Sequence, residues 1–391
     1  MKSRRQALRL LSLASAGSVM APVSEGHAQD PRGDQAQISR SSVQTTLRAA
    51  RSVALPSGVE ELKQVDIGGI KQWISVRGHD RANPMLLVVH GGPGDPEMPY
   101  SWYYQTPLEE YFTVVQWDQR GCGKTAATND AKVVNPTISI ERLAADGEEV
   151  VAYLRQAYGQ EKIFVLGHSW GSVIGLTVAH KHPEWLHAYI GMGQVIYMRE
   201  NERLSYDFVL EQARKRNNTV ALEKLIALAP YAGPNNFPRF DQLIIQRNWL
   251  RVFGGMSWTR KHILYLQGLS KLSPDYTDED LRATSADAGI IWPMLAGVDF
   301  RAIRQLACPT FIFAGRHDYA TPSVLADLWL KALVAPSKQL FWFENSGHYI
   351  QLDEPGAFFM HLVRDVRPKA SERLLHGRKA RQSPRDPSVG P

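Results

Sequence analysis

The chain has 391 residues, 44% hydrophobic and 21% charged, which excludes a disordered or low-complexity protein and allows one large globular domain with an insertion. Its formal charge of +6 does not argue for a nucleic-acid partner, because the excess sits at the two ends. Residues 1–28 carry +3 and residues 368–391 carry +4, leaving residues 29–367 at −1.

At the amino terminus, Arg4 and Arg5 precede a mildly apolar stretch, Ala7 to Val23, and then Gly26-His27-Ala28, with small residues where a signal peptidase cuts. This order is expected of a twin-arginine-type signal and of a periplasmic or secreted protein. Arg9 and several Ser and Gly residues interrupt a run already shorter than the roughly 20 apolar residues of a spanning helix, so no stable membrane span is expected. Residues 29–55, polar and without periodicity, read as a linker.

From there, strand-like runs alternate with helical stretches. Gln64–Ile67 and Lys71–Arg77 flank Gly68-Gly69 as a hairpin. Apolar runs follow at 85–94, 112–123, 162–169 and 187–196, with Leu143, Val150, Val151 and Leu154 at helical spacing between them. Apolar strands joined by helices predict an α/β fold with a mostly parallel sheet covered on both faces. The alternation stops near Tyr197, and residues 197–300 read as a helical, aromatic-rich cap over the carboxyl edge of the sheet. It resumes at 309–318, with a helix near 322–334, a strand within 338–348 and a last helix near 355–366. The core is thus expected in two parts, 56–196 and 301–367, followed by a disordered basic tail, 368–391.

Cys122 and Cys308 are expected at opposite sheet edges, too far apart for a disulfide, and neither has Cys or His neighbours at metal-ligand spacing. Two thiols and no metal site are predicted.

The chemistry concentrates at strand ends. In "VLGHSWGS" (165–172), G-x-S-x-G between a strand and a helix forces a tight turn that exposes the hydroxyl of Ser169. A serine needs a base, and the base an orienting acid, in the chain order Ser, Asp or Glu, His. Asp318 after "FIFAGRH" and His348 after "FWFENSG" supply that order on the same sheet edge. His90, His168 and His317 share that edge and read as packing or loop support. Rival acids are Glu344, inside a strand, and Asp118, ahead of the serine. The glycines of "HGGPG" (90–94) let a backbone N–H face developing negative charge, so Gly92 and Trp170 are the expected oxyanion donors.

Together, "HGGPG", "WDQRGCGKT" (117–125), "GHSWGS" and "GRHDYATP" (315–322) closely resemble the proline iminopeptidase family of serine α/β-hydrolases, over residues 60–200 and 305–365. The resemblance implies an α/β-hydrolase core with a helical cap and a triad of Ser169, Asp318 and His348. It also implies no cofactor and a small-molecule or short-peptide substrate cleaved at an amide or ester. Asp118-Gln119-Arg120 is expected to pin a loop below the site. The family holds the substrate's amino terminus with cap glutamates, one of them in a Trp-x-x-Trp-Glu segment that is absent here. The nearest aromatic cluster, "NWLRVFGGMSW" (248–258), carries Arg251 and no acid. Glu200, Glu202 and Glu211 are candidates for that role, and Trp249, Phe253 and Trp258 for lining the substrate site. An esterase or lactonase acting on apolar esters, and a non-catalytic binding protein of the same fold, stay open as alternatives. Epoxide hydrolase chemistry requires a carboxylate nucleophile, and residue 169 is a serine.

Overall fold

The computed structural model describes residues 39–258, 263–283 and 286–371. The leader, 1–28, and most of the basic tail lie outside the described residues. Eight strands form one sheet: β1 (Val59–Ile67), β2 (Ile70–Gly78), β3 (Met85–Val89), β4 (Thr113–Asp118), β5 (Ile163–His168), β6 (Leu186–Met192), β7 (Thr310–Gly315) and β8 (Lys338–Phe343). Their spatial order is β1-β2-β4-β3-β5-β6-β7-β8. β1 and β2 form the antiparallel hairpin, β2 pairs antiparallel with β4, and every other pairing is parallel.

Every residue of β3, β4, β5 and β7 is buried. Helices cover both faces, and Val and Leu side chains alternate into two separate apolar layers, Val165 into one and Leu166 into the other. Because the strands run parallel, their carboxyl ends share one edge, which gathers the loops after β3, β5, β7 and β8.

Residues 197–300 contain the cap. Its entry and exit are tied together, Met198 N to Val298 O at 3.1 Å and Phe300 N to Ile196 O at 2.7 Å. The helices Met198–Lys215, Thr219–Ile226 and Phe240–Phe253 enclose a small core of their own around Val209, Leu225, Leu250 and Phe253.

Part of the expected linker is a helix, Arg40–Ala50. It buries no residue, and it is held by polar contacts to the segment 271–278. Arg40 Nε donates to Lys271 O at 2.5 Å, Gln44 Nε2 donates to Ser273 O at 2.7 Å, and Arg48 reaches Pro274 O. The helix is mostly polar, with Val43 and Leu47 its only half-buried apolar side chains on one face, which is why its sequence reads as linker.

Arg120, 1% exposed, ties the "DQRGCG" block to its surroundings. Its Nε and Nη2 meet Asp146 at 2.8 and 3.2 Å, Nη2 also donates to Gly68 O at 2.8 Å, and Nη1 donates to Thr137. One guanidinium thereby joins the hairpin turn, the β4 loop and the helix Ile140–Ala157. Removing one partner of such a buried pair costs about 3–5 kcal/mol. Both cysteines are buried thiols, Cys122 lying 3.3 Å from His90 Nε2.

Candidate active site

β5 ends at His168 and the helix Gly171–Lys181 begins three residues later, so the chain must reverse over Ser169 and Trp170. Ser169 takes φ 55°, a left-handed conformation disfavoured for any residue with a Cβ. It is held there by Ser169 N donating to Met192 O at 2.9 Å and by Ser172 Oγ donating to Ser169 O at 2.6 Å. The turn needs glycine at 171, where a Cβ would stand 2.0 Å from Val89 O.

Asp318 lies three residues beyond β7, and His348 five beyond β8. Asp318 Oδ1 accepts the backbone N–H groups of Ala320 and Thr321, both at 2.9 Å. Oδ2 accepts the Thr321 hydroxyl at 2.9 Å and His348 Nδ1 at 2.8 Å. A carboxylate held by this many donors is fixed in place, and it commits the His348 proton to Nδ1, leaving Nε2 as the acceptor. The cap steadies both loops through Gly255 O and Met256 O, which accept Tyr319 N at 2.9 Å and His348 N at 2.6 Å. Among the described residues, Ser169 Oγ makes no hydrogen bond to His348; hydroxyl and imidazole open on one cavity, and such contacts often tighten only with substrate bound.

That cavity, about 890 Å³, lies between sheet edge and cap. Gly92 and Trp170 both line it. Gly92 has φ 112°, and a Cβ there would press on Gly94 N at 2.5 Å, so the loop can fold beside the serine only with glycine. Trp170 is the N-cap of the following helix, whose first N–H groups have no partner within the helix. Gln119 locks the two together: its Nε2 donates to His90 O at 2.9 Å while its Oε1 accepts Trp170 Nε1 at 3.0 Å. Among the described residues, no group of three or more His, Cys, Asp or Glu side chains is placed to hold a metal ion.

The cap residues expected to meet substrate are placed elsewhere. Glu200 pairs with Arg203 and Glu211 with Lys215 on the outer face of their helix. Glu202 is fully buried against Arg247 and accepts the Tyr231 hydroxyl at 3.1 Å. Trp249 lines a separate groove on the cap with Leu228 and Val252. Phe253 belongs to the cap core, and Trp258 stacks on His317 at 3.5 Å. Helical spacing explains the placement: the helix Phe240–Phe253 turns Phe240, Leu243, Ile244, Arg247 and Arg251 toward the cavity, a face that excludes 249 and 253. The rival acids are likewise engaged, Glu344 with Arg316 at the surface and Asp118 with Tyr276 and Lys124 N.

Two polar residues around the cavity, Asp95 and Tyr349, were not singled out from sequence, and Arg251 was noted only as the charge in the aromatic cluster. Asp95 and Arg251 line the cavity, and Tyr349 OH lies 3.4 Å from Asp95 Oδ2. Desolvation by the surrounding cavity walls, and then the nearby Glu97 charge, raise the Asp95 carboxyl above its ordinary value.

Residues 84–355 match the model of the alpha/beta hydrolase fold family. The chain is 28% identical over 327 residues to the probable aminopeptidase YbaC of Bacillus subtilis, covering 78% of this chain and 96% of that protein. It is 33% identical over 297 residues to human epoxide hydrolase 4, covering 72% and 71%. The crystal structure of a proline iminopeptidase-related protein from Thermus thermophilus superposes with a TM-score of 0.57 at 20% identity, covering 80% of this chain and 99% of that one. With the family model spanning well over half its length, this chain belongs to the alpha/beta hydrolase fold family.

Proposed function

We propose that this protein is an exported serine hydrolase that cleaves small amides and esters through an acyl-enzyme, with aminoacyl amides as its preferred substrates. The observation that carries the proposal is the 2.8 Å hydrogen bond from His348 Nδ1 to Asp318, on the same cavity as the hydroxyl of Ser169. In this reading Ser169 Oγ attacks the carbonyl carbon and its proton passes to His348 Nε2. The oxyanion is held by the N–H groups of Gly92 and Trp170. The bond to the leaving group then breaks as His348 returns the proton to it. Water, activated by the same imidazole, hydrolyses the acyl ester and restores the serine. Epoxide hydrolysis is not carried over from the human relative, because the elbow presents a hydroxyl rather than a carboxylate.

The amide preference rests on Asp95. Its side chain is exposed to the cavity that Ser169 also lines, so a substrate ammonium group bound there would gain from it. Replacing Asp95 by Asn is expected to lower kcat/KM for a prolyl arylamide by about ten- to a hundredfold, the worth of one charge-assisted hydrogen bond. Hydrolysis of a short acyl ester should change little. Equal effects on both substrates would favour the second reading, an esterase or lactonase for apolar esters, which draws on the apolar walls formed by Leu243, Ile244, Trp292 and Leu295.

Export follows from the Arg4-Arg5 leader. Expressed in a bacterium with a twin-arginine pathway, the mature chain is expected in the periplasmic fraction with an amino terminus near Gln29. Recovery of the uncleaved chain solely from the cytoplasm would contradict export.

A further inference from the structure

Two buried residues in the wall of the cavity have no role in the proton transfers above. Glu97 stands three residues after the "HGGPG" segment, and His168 closes β5. Their side chains meet, His168 Nδ1 against Glu97 Oε1. The other ring nitrogen, Nε2, lies 3.0 Å from the backbone carbonyl oxygen of His348. A carbonyl can only accept, so Nε2 carries a proton.

The proton on Nδ1 follows from what surrounds Glu97. Its Oε2 accepts the Tyr104 hydroxyl at 3.0 Å and Gln351 Nε2 at 3.1 Å. Tyr104 is committed to donate, because its oxygen accepts Gln116 Nε2 at 3.2 Å. A carboxyl facing donors on both oxygens is stabilised in its charged form, and His168 is then an imidazolium. Burial alone would raise Glu97 and lower His168. The opposite charge and the hydrogen bonds prevail, holding Glu97 below its ordinary value and His168 above.

We propose that Glu97 and His168 form a buried ion pair that positions His348, a second carboxylate–histidine dyad set behind the first. The first dyad orients the imidazole through Nδ1. The second fixes the backbone of the same residue through its carbonyl, with the two rings 4.9 Å apart centre to centre. A ring protonated on both nitrogens serves the carboxylate and the carbonyl at once. Both are positioning residues, and the inference rests on the assignment of His348 as the general base.

The test is a mutant cycle on the full-length protein, with rates expressed per serine labelled by a fluorophosphonate probe so that unfolded molecules are not counted. His168→Phe and Glu97→Ala should each lower kcat by about ten- to a hundredfold while KM stays within about twofold. The double variant should be no slower than the slower single one, because the pair acts as a unit. Glu97→Gln should retain most of the activity: its NH2 can donate to a neutral His168 that keeps the Nε2 proton, and its oxygen still accepts from Tyr104 and Gln351. An unchanged kcat per labelled serine in His168→Phe, or single losses that multiply in the double variant, would each overturn the inference. Failure of the probe to label wild-type Ser169 would instead remove the base assignment on which it rests.

Discussion

Ser169→Ala is expected to lower kcat for small esters and prolyl arylamides by about 10⁴- to 10⁶-fold, the range seen when a serine hydrolase loses its nucleophile. The loss should fall on the rate and spare the fold. Ser169 Oγ makes no hydrogen bond to His348 among the described residues, and the turn is kept by backbone contacts of Ser169 N and O that alanine retains. The thermal midpoint of the variant should therefore lie within a few degrees of wild type while turnover disappears. Turnover within tenfold of wild type would mean that another group attacks the substrate. The catalytic residues on this cavity would then need reassigning.

Asp318→Asn should be nearly as damaging, with kcat about 10⁴-fold lower, and for a reason the local geometry makes explicit. The backbone N–H groups of Ala320 and Thr321 demand an oxygen at the Oδ1 position, so the new NH2 must occupy the position that faces His348. An NH2 there donates to Nδ1, which forces the imidazole proton onto Nε2 and leaves no acceptor for the serine proton. The enzyme keeps its shape in the wrong tautomer. Steady-state kinetics check this, together with the prediction that the fluorophosphonate probe labels the variant far more slowly than wild type. A loss below about tenfold would show that Asp318 is not the orienting acid.

Much of this site is legible in the chain because it is written as local punctuation. Ser169, Asp318 and His348 each stand at the end of an apolar run, and a parallel sheet collects such ends at one edge whatever the sequence distance between them. The pairing of Glu97 with His168 was hidden for the opposite reason: they meet across 71 positions through a single side-chain contact that no periodicity reports. Asp95 carried no signal either, since nothing about a lone acid after a glycine loop says that it lines a cavity. The cap misled most. Its helices are amphipathic toward their own small core, so Phe253, with Trp249 packed beside it, belongs to that core rather than to the cavity beside Ser169, and Glu202 is the buried counter-ion of Arg247.

The most direct measurement is the mass of the peptide containing Ser169 after the purified protein has reacted with a fluorophosphonate. The account predicts one adduct per chain, located on Ser169, abolished in Ser169→Ala and slowed by prior incubation with a prolyl arylamide. An unmodified Ser169 under conditions that label a known serine hydrolase, or a single adduct on a different residue, would contradict it.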